Sequence, residues 1–336
     1  MLTDLFAVAH GIDPAVVQGA IPPSCRRGVA AAPAPRDDGG DAIVELGPWR
    51  PRAPARHLVP SLSPLAGPAC RFRFEASVRV AGAWSPWTPT ATIGGADFAP
   101  APDGGGPLEA QIDLWQCATP AEEVRLRVRC DGAVALRGPW LATLSACDLA
   151  PASVPAPAAQ TIRLAVPAVS QMLAGGDIGA RVCSPTSVAM VLAYWGRREE
   201  VRALAGEMLH PALDLYGIWP AAIQAAARRG VAGYLLRFPD WDAAAWCLGR
   251  GIPIIASVRY VAGELEGAAM PATSGHLLVL TGYQDGRVLV NDPAAPDTGG
   301  VSRRYALRDI HRVWLERSGV GYVLFDPLRA VPPRPA

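Results

Sequence analysis

One cysteine stands where a helix is expected to begin. Cys183 is followed closely by Pro185, apolar residues then recur at helical spacing as far as Trp195, and Gly196 follows as a stop signal. This pattern predicts an amphipathic helix that starts at Cys183. Peptide N–H groups at a helix start favour a thiolate over a thiol, so we expect a lowered pKa and a reactive sulfur. The same N–H groups could also receive an oxyanion.

A histidine and an aspartate follow in a predicted pair of strands. His276 opens the first strand, and Asp292 comes directly after the second. A two-residue loop between the strands would place the two side chains on opposite faces. A three-residue loop over 284–286, with Gly286 in the left-handed conformation of a bulge, sets Leu278 opposite Asp292 instead. We predict this second register, in which His276 and Asp292 share a face.

The three residues together predict a Cys-His-Asp arrangement. In the predicted register Asp292 accepts an N–H from His276, fixes its tautomer and stabilises the imidazolium, while the other ring nitrogen faces Cys183. Each residue alone is more often structural, as an inert buried thiol, a core histidine or a turn former. The ordered combination favours nucleophilic catalysis.

Four short motifs resemble, in the same order, those of the C39-like cysteine peptidase family, which has a papain-like fold. They are Val166–Gln171, Cys183–Ser187, Gly275–Leu277 and Asn291–Ala294. The resemblance covers about residues 160–326, roughly half of the chain. It departs from the family in two places: Gln171 lies twelve residues before Cys183, a longer spacing than expected, and Ser184 stands where many relatives have Gly.

The resemblance implies a role for each matching residue. Cys183 is the implied nucleophile, His276 the general base and acid, Asp292 the orienting group, and Gln171 the side-chain donor of the oxyanion hole. It therefore implies a hydrolase that acts on a peptide or amide substrate. Family members that process leader peptides are fused to transporters, and this sequence has no G-x-x-x-x-G-K-[ST] loop, so we do not expect that role.

Composition excludes several other classes of protein. The 31 basic residues are all Arg and face 30 acids, which gives a net charge of +1 and no basic run for nucleic acid. Five His and seven Cys without ligand spacing predict no metal site and no cofactor, and the cysteines form no disulfide framework. Apolar stretches fall short of the ~20 residues of a membrane span. The start, Met1–Asp4, lacks the positive charge of a signal peptide, so we expect a cytoplasmic location, with export left open.

Periodicity changes along the chain and predicts two domains. Residues 1–40 are expected to be irregular, with at most a short helix. Residues 41–149 are predicted to form an all-β sandwich, 150–158 a Pro/Ala linker, 159–328 the papain-like α+β domain and 329–336 a tail, each domain with its own core. The strands predicted in the sandwich are 42–46, 70–80, 108–115, 124–130 in a hairpin that continues to Leu136, and 141–144.

The second domain mixes the two periodicities. Its predicted helices are Cys183–Trp195, Glu199–Met208, Trp219–Arg229 and Trp241–Gly249, and its predicted strands are Ile252–Val258, His276–Tyr283, Val288–Asn291 and Val320–Phe325. This order predicts a helix with the cysteine at its start packed on an antiparallel sheet.

Several alternatives stay open at this point. The same residues would serve an acyl transferase of the transglutaminase type, and a catalytically inactive protein could bind a glycan or peptide at the sandwich. The run Trp84–Trp87 would suit such a ligand or simply cap the core. Trp219 is a candidate for lining the cleft, and a Cys70–Cys130 bridge is open. The remaining histidines are interpreted as surface or packing residues: His10, His57, His210 and His311. The sequence does not indicate an oligomeric state.

Overall fold

A computed structural model of the chain describes residues 1–65, 70–95, 98, 106–154 and 161–328. The strands are β1 (Thr3–His10), β2 (Arg26–Ala31), β3 (Arg36–Asp38), β4 (Asp41–Trp49), β5 (Ala55–Pro64), β6 (Phe72–Val80), β7 (Ala83–Trp84), β8 (Thr88–Pro89), β9 (Leu108–Ala110), β10 (Trp115–Ala121), β11 (Glu123–Cys130), β12 (Trp140–Cys147), β13 (Ile162–Arg163), β14 (Ala232–Arg237), β15 (Ile254–Tyr260), β16 (Thr273–Gln284), β17 (Arg287–Asn291), β18 (Ser302–Ala306) and β19 (Val320–Phe325). The helices are α1 (Pro14–Gly19), α2 (Val134–Arg137), α3 (Cys183–Tyr194), α4 (Val201–Met208), α5 (Trp219–Ala227), α6 (Trp241–Gly249) and α7 (Leu307–Ile310).

The N-terminal half contains two six-stranded sheets. The first has the order β2-β1-β12-β5-β10-β9, and the second has the order β3-β4-β11-β6-β7 with β8 also paired to β6. Apolar residues alternate with arginines along β11, and the apolar ones are buried. The strands predicted at 42–46 and 124–130 are confirmed as parts of β4 and β11. The sandwich over residues 41–149 stays a prediction.

The expectation that residues 1–40 are irregular is wrong. Strand β1 pairs with β12 along its whole length and lies inside the first sheet, while β3 joins the second sheet. Residues from Thr3 to Ala9 are all buried. Because both faces of β1 are covered, its sequence lacks the alternation that marks a half-buried strand.

The predicted hairpin from Val124 to Leu136 is also wrong. Strand β11 pairs with β4 and β6, whereas the chain after it forms the short helix α2 and crosses to β12 in the other sheet. The strand predicted over 108–115 is in fact two strands, β9 and β10, which pair with each other.

The C-terminal half is a mixed α/β arrangement around a seven-stranded sheet. The strand order is β14-β19-β15-β16-β17-β18, with β13 added on β16. The four predicted helices are confirmed as α3 to α6, whereas β14 and β18 were not expected. The prediction that helix α3 is amphipathic is wrong. Its residues 184–192 are all buried, because β16 covers one side and α4 and α5 cover another.

The first sheet covers the free edge of β14. Three backbone N–H groups of β14 donate to serine hydroxyls of β5 and β12: Gly233 to Ser63 at 3.1 Å, Leu235 to Ser61 at 3.2 Å and Arg237 to Ser145 at 3.1 Å. A buried N–H without a partner is costly, so these serines complete the edge. One large hydrophobic cluster of the described residues includes side chains of both halves, so the two halves share an apolar contact.

Part of the predicted division falls outside the described residues. The structure does not describe residues 155–158 of the predicted linker or residues 329–336 of the predicted tail. The domain boundary near residue 158 therefore stays a prediction. The described residues 150–154 form neither helix nor strand, and the carbonyl of Ser153 lies 3.0 Å from Nε2 of His311. No helix within the described ranges is long and apolar enough to cross a membrane.

Candidate active site

A two-residue turn, not the predicted three-residue loop, joins β16 to β17. Asp285 and Gly286 both have positive φ, at 50° and 74°, and Gln284 pairs with Arg287. This turn alone would place His276 and Asp292 on opposite faces. The register shifts by one further along the hairpin, because Thr281 bulges out between two ladder pairs.

The bulge lies where β16 changes its neighbour on the opposite edge. The pairing of β15 with β16 reaches Leu280, and β13 pairs from Gly282 onward. The N–H of Leu164 donates to the carbonyl of Thr281 at 2.8 Å. A Cβ on Gly282 would lie 2.1 Å from the carbonyl oxygen of Ile162, so only glycine allows β13 to approach this closely.

The shifted register brings the histidine and the aspartate together. Val279 pairs with Asn291, so the next position places Leu278 opposite Asp292, as predicted. Nε2 of His276 and Oδ1 of Asp292 are 2.8 Å apart, and both side chains are buried. The prediction that the two side chains share a face is confirmed, although a bulge within the strand produces it.

Two further donors hold the carboxylate of Asp292. Tyr305 in β18 donates its hydroxyl to Oδ2 at 2.8 Å, and the N–H of Ala294 donates to Oδ1 at 3.1 Å. Burial raises the pKa of Asp292, but the hydrogen bond and charge of His276, followed by the hydroxyl of Tyr305, outweigh it and hold the pKa below its ordinary value. Sequence analysis missed Tyr305.

Cys183 is the first residue of α3, as predicted. Burial of the thiol raises its pKa, but the hydrogen bond and charge of His276 and the N–H groups of Leu277 and Ser184 lower it below the ordinary value. Burial lowers the pKa of His276, yet its contacts with Asp292 and Cys183 raise it to about 10. With Nε2 directed to Asp292, Nδ1 is the ring nitrogen left for the sulfur. Both shifts favour the thiolate of Cys183 paired with the imidazolium of His276.

Hydrogen bonds fix the start of α3 against the sheet. Ser187 donates its hydroxyl to the carbonyl of Leu277 at 3.2 Å, and the hydroxyls of Ser184 and Tyr322 are 3.2 Å apart. Ser184 is fully buried. This side chain therefore anchors the helix to β19.

Gln171 lies beside the aspartate. It begins a short 3-10 helix, Gln171–Ala174, and its backbone N–H donates to the carbonyl of Pro293 at 2.9 Å. The side chain is buried, and its amide oxygen has no partner in the described part of the chain. Gln171 does not line the cavity described below, so its role as an oxyanion donor stays a prediction.

A cavity of about 650 Å³ opens onto Cys183 and His276. Both halves of the chain line it, and the lining includes His57, Gln116 and Trp219. The suggestion that Trp219 faces the cleft is confirmed. His57, interpreted from the sequence as a surface or packing residue, is buried on β5 and also forms part of the cavity wall.

Other candidate features have structural partners. The guanidinium carbon of Arg125 lies 4.5 and 4.6 Å from the ring centroids of Trp84 and Trp87, which covers the predicted platform. A glycan or peptide partner there stays a prediction. Cys70 and Cys130 are free thiols that share a hydrogen bond. No metal-binding group of His, Cys, Asp and Glu occurs among the residues that the structure describes.

Comparisons with known proteins match the C-terminal half. The family model described as "Peptidase_C39 like family" matches residues 163–322, which confirms the resemblance found in the sequence. No curated protein matches the chain.

Three solved structures are similar to about half of the chain. A double glycine motif protease from an AMS/PCAT transporter, in complex with its leader peptide, is 18% identical over 50% of this chain and 98% of that chain, with a TM-score of 0.35. The peptidase domain of Streptococcus ComA, a bi-functional ABC transporter of a quorum sensing pathway, is 17% identical over 48% and 98%, with a TM-score of 0.33. A C39-like peptidase from Bacillus anthracis is 16% identical over 49% and 97%, with a TM-score of 0.38. The similarity to C39-like peptidases therefore rests on the match to the family model, not on these three structures.

Proposed function

We propose, from the match of residues 163–322 to the C39-like peptidase family, that the chain is a cysteine hydrolase that cleaves a peptide or amide bond. One observation carries the proposal: the buried 2.8 Å contact between His276 and Asp292 lies behind Cys183 at a cavity. The position of α3 on β16 supports a papain-like fold for this domain, and the two N-terminal sheets support a sandwich before it.

The reaction begins with the thiolate of Cys183, which attacks the carbonyl carbon of the substrate. The carbonyl oxygen becomes an oxyanion, and the N–H of Cys183 at the helix start and the side-chain amide of Gln171 donate to it. His276 transfers its proton to the leaving amine as the C–N bond breaks, which leaves a thioester. His276 then takes a proton from water, whose oxygen attacks the thioester, and the released thiol returns as thiolate.

Asp292 acts through the histidine. Its carboxylate accepts the Nε2–H of His276, so the ring keeps the orientation in which Nδ1 exchanges protons with the sulfur and the leaving group. Tyr305 positions the carboxylate in turn.

Iodoacetamide labelling as a function of pH, read by mass spectrometry, tests the proposal. Cys183 is expected to react at pH ~6, far ahead of the buried Cys247, whose pKa burial raises. The variant His276→Ala is expected to abolish this early reaction. Equal labelling rates for Cys183 and Cys247 would refute the proposal.

A second measurement separates hydrolysis from acyl transfer. The acyl-enzyme of a hydrolase is expected to partition to water even when a primary amine is added. Efficient product formation with a low concentration of amine would instead identify an acyl transferase, which uses the same three residues.

A further inference from the structure

The cavity next to Cys183 contains a buried arginine that has no acidic partner among the described residues. Arg237 ends strand β14 and is 8% exposed. Its guanidinium donates to the carbonyl oxygens of Arg317 and Ser318, and no carboxylate of the described residues pairs with it. Carbonyl groups accept only from its two terminal nitrogens, its Nε has no partner among the described residues, and its charge is not neutralised. A buried charge without a counter-ion is unfavourable, so the site favours an anion from outside.

His57 lies in the same wall and comes from the N-terminal half. Strand β5 places it between Gln116 on β10 and Cys147 on β12, and it is 5% exposed. Its Nδ1 is buried without a hydrogen-bond partner among the described residues. Burial, together with the nearby charge of Arg237, lowers the pKa of His57 to about 3, so the ring is neutral. A neutral ring has one N–H to donate, and a second unsatisfied group thus lies beside the arginine.

Two of the other three arginines that line the cavity have acidic partners. Arg181 pairs with Asp214, which also lines the cavity, and Arg317 pairs with Glu264. Arg259 is exposed and has no ion-pair partner in the described ranges. Two arginines of the cavity wall therefore lack an acid, and the cavity has a positive excess next to the reactive sulfur.

We propose that His57, from the N-terminal half, and Arg237, from the C-terminal half, together bind a carboxylate of the substrate next to Cys183. This inference rests on the proposed function, because it takes the cavity as the substrate site. A peptide offers a carboxylate at its C-terminus or on an Asp or Glu side chain. Either source supplies the two acceptor oxygens that a guanidinium and an imidazole N–H bind.

Binding to the Cys183→Ala variant tests the inference without turnover. The probes are two pairs of acetylated tripeptides: Ala-Ala-Ala with a free C-terminus against its C-terminal amide, and the amide of Ala-Glu-Ala against that of Ala-Gln-Ala. Calorimetry is expected to show at least about tenfold tighter binding for the acid of one pair, since a charge-assisted hydrogen bond contributes ~1.5–3 kcal/mol. The pair that discriminates identifies the source of the carboxylate.

Substitutions then locate the preference. In the Cys183→Ala background, Arg237→Gln is expected to abolish the preference for the acid over the amide, and Arg237→Lys is expected to restore part of it. The control is Arg228→Gln, which removes the same charge outside the cavity and is expected to retain the preference. Because Arg237 also supports the backbone at Arg317 and Ser318, His57→Gln gives a second test and is expected to weaken the preference severalfold.

Several results would overturn the inference. They are equal binding of acid and amide in both pairs, an undiminished preference in Arg237→Gln, and no binding of any probe at millimolar concentration. Failure of the proposed function is distinguishable, because it would appear as an inert Cys183 in a protein that still prefers the acids.

Discussion

Tyr305 offers a quantitative test of how the carboxylate is held. Its hydroxyl donates to Oδ2 of the buried Asp292 at 2.8 Å, and Tyr305→Phe removes this donor while it keeps the ring. A hydrogen bond to a charged group contributes ~1.5–3 kcal/mol, so the free energy of unfolding at pH 7 is expected to fall by about this amount. Loss of this donor also raises the pKa of Asp292 toward its ordinary value, because the hydroxyl of Tyr305 favours the charged carboxylate.

The sign of the pH dependence follows from the lowered pKa of Asp292. A carboxyl whose pKa is lower in the folded state contributes stability above its unfolded pKa of ~3.9, and this stability is lost as pH falls through the folded value. In both proteins the loss begins near ~3.9, but in Tyr305→Phe the folded pKa lies closer to that value, so less stability is lost and the loss is complete at a higher pH. The two proteins are therefore expected to differ most at pH 7, and the difference shrinks only as pH falls through their folded pKa values.

Urea unfolding between pH 7 and the lowest pH at which both proteins fold measures this difference, and alkylation of Cys183 against pH measures its effect on the site. The acid limb of the alkylation profile is expected to move to higher pH, because a protonated Asp292 no longer supports the imidazolium of His276. Tyr322→Phe is the control, since it loses a bond to the neutral Ser184, about 0.5–1.5 kcal/mol, without the pH dependence. A destabilisation of Tyr305→Phe that stays the same throughout this pH range, with an unmoved acid limb, would refute this role.

Two further predictions concern the contact between the halves. Ser145→Ala leaves the N–H of Arg237 without its partner, so urea unfolding is expected to show one transition for both halves and a free energy of unfolding lowered by ~1–3 kcal/mol. The control is Ser24→Ala, at an exposed serine, which is expected to have only a small effect. Separate transitions for the two halves, or an effect of Ser145→Ala as small as that of the control, would contradict the prediction. Burial raises the pKa of Asp113 to about 6, despite the bond from the N–H of Trp219, so stability falls as pH rises from about 4 to 6. Asp113→Asn should remove this fall and stabilise the protein at pH 7 by up to about 3 kcal/mol in thermal unfolding, and an unchanged pH profile would count against it.

The sequence predicts those parts of the site whose signals are local. Cys183 at a helix start and the hairpin that carries His276 and Asp292 follow from turn residues and periodicity. The shared face was predicted, but by a loop of the wrong length. The bulge at Thr281 reflects the arrival of β13, a contact distant in sequence that periodicity cannot show.

Contacts between distant segments account for the features that were missed. Tyr305 reaches Asp292 from a five-residue strand too short for a clear alternation, and His57 reaches the cavity from the other half of the chain. Strand β1 is buried on both faces, so its composition resembles that of many apolar segments. A Pro- and Gly-rich region, such as residues 1–40, can still supply strands once a neighbouring sheet accepts them.

The bulged hairpin makes the site sensitive to the parity of its own length. His276 and Asp292 are sixteen positions apart, and each residue removed from or added to one strand turns the following side chain to the other face. Deletion of Thr281 alone would therefore place His276 and Asp292 on opposite faces of the hairpin, although neither residue is changed. During divergence, length changes between them are acceptable in even steps, or as an odd change compensated by the gain or loss of a bulge. Homologous hairpins should record this constraint in their insertions and deletions, even where their side chains have changed.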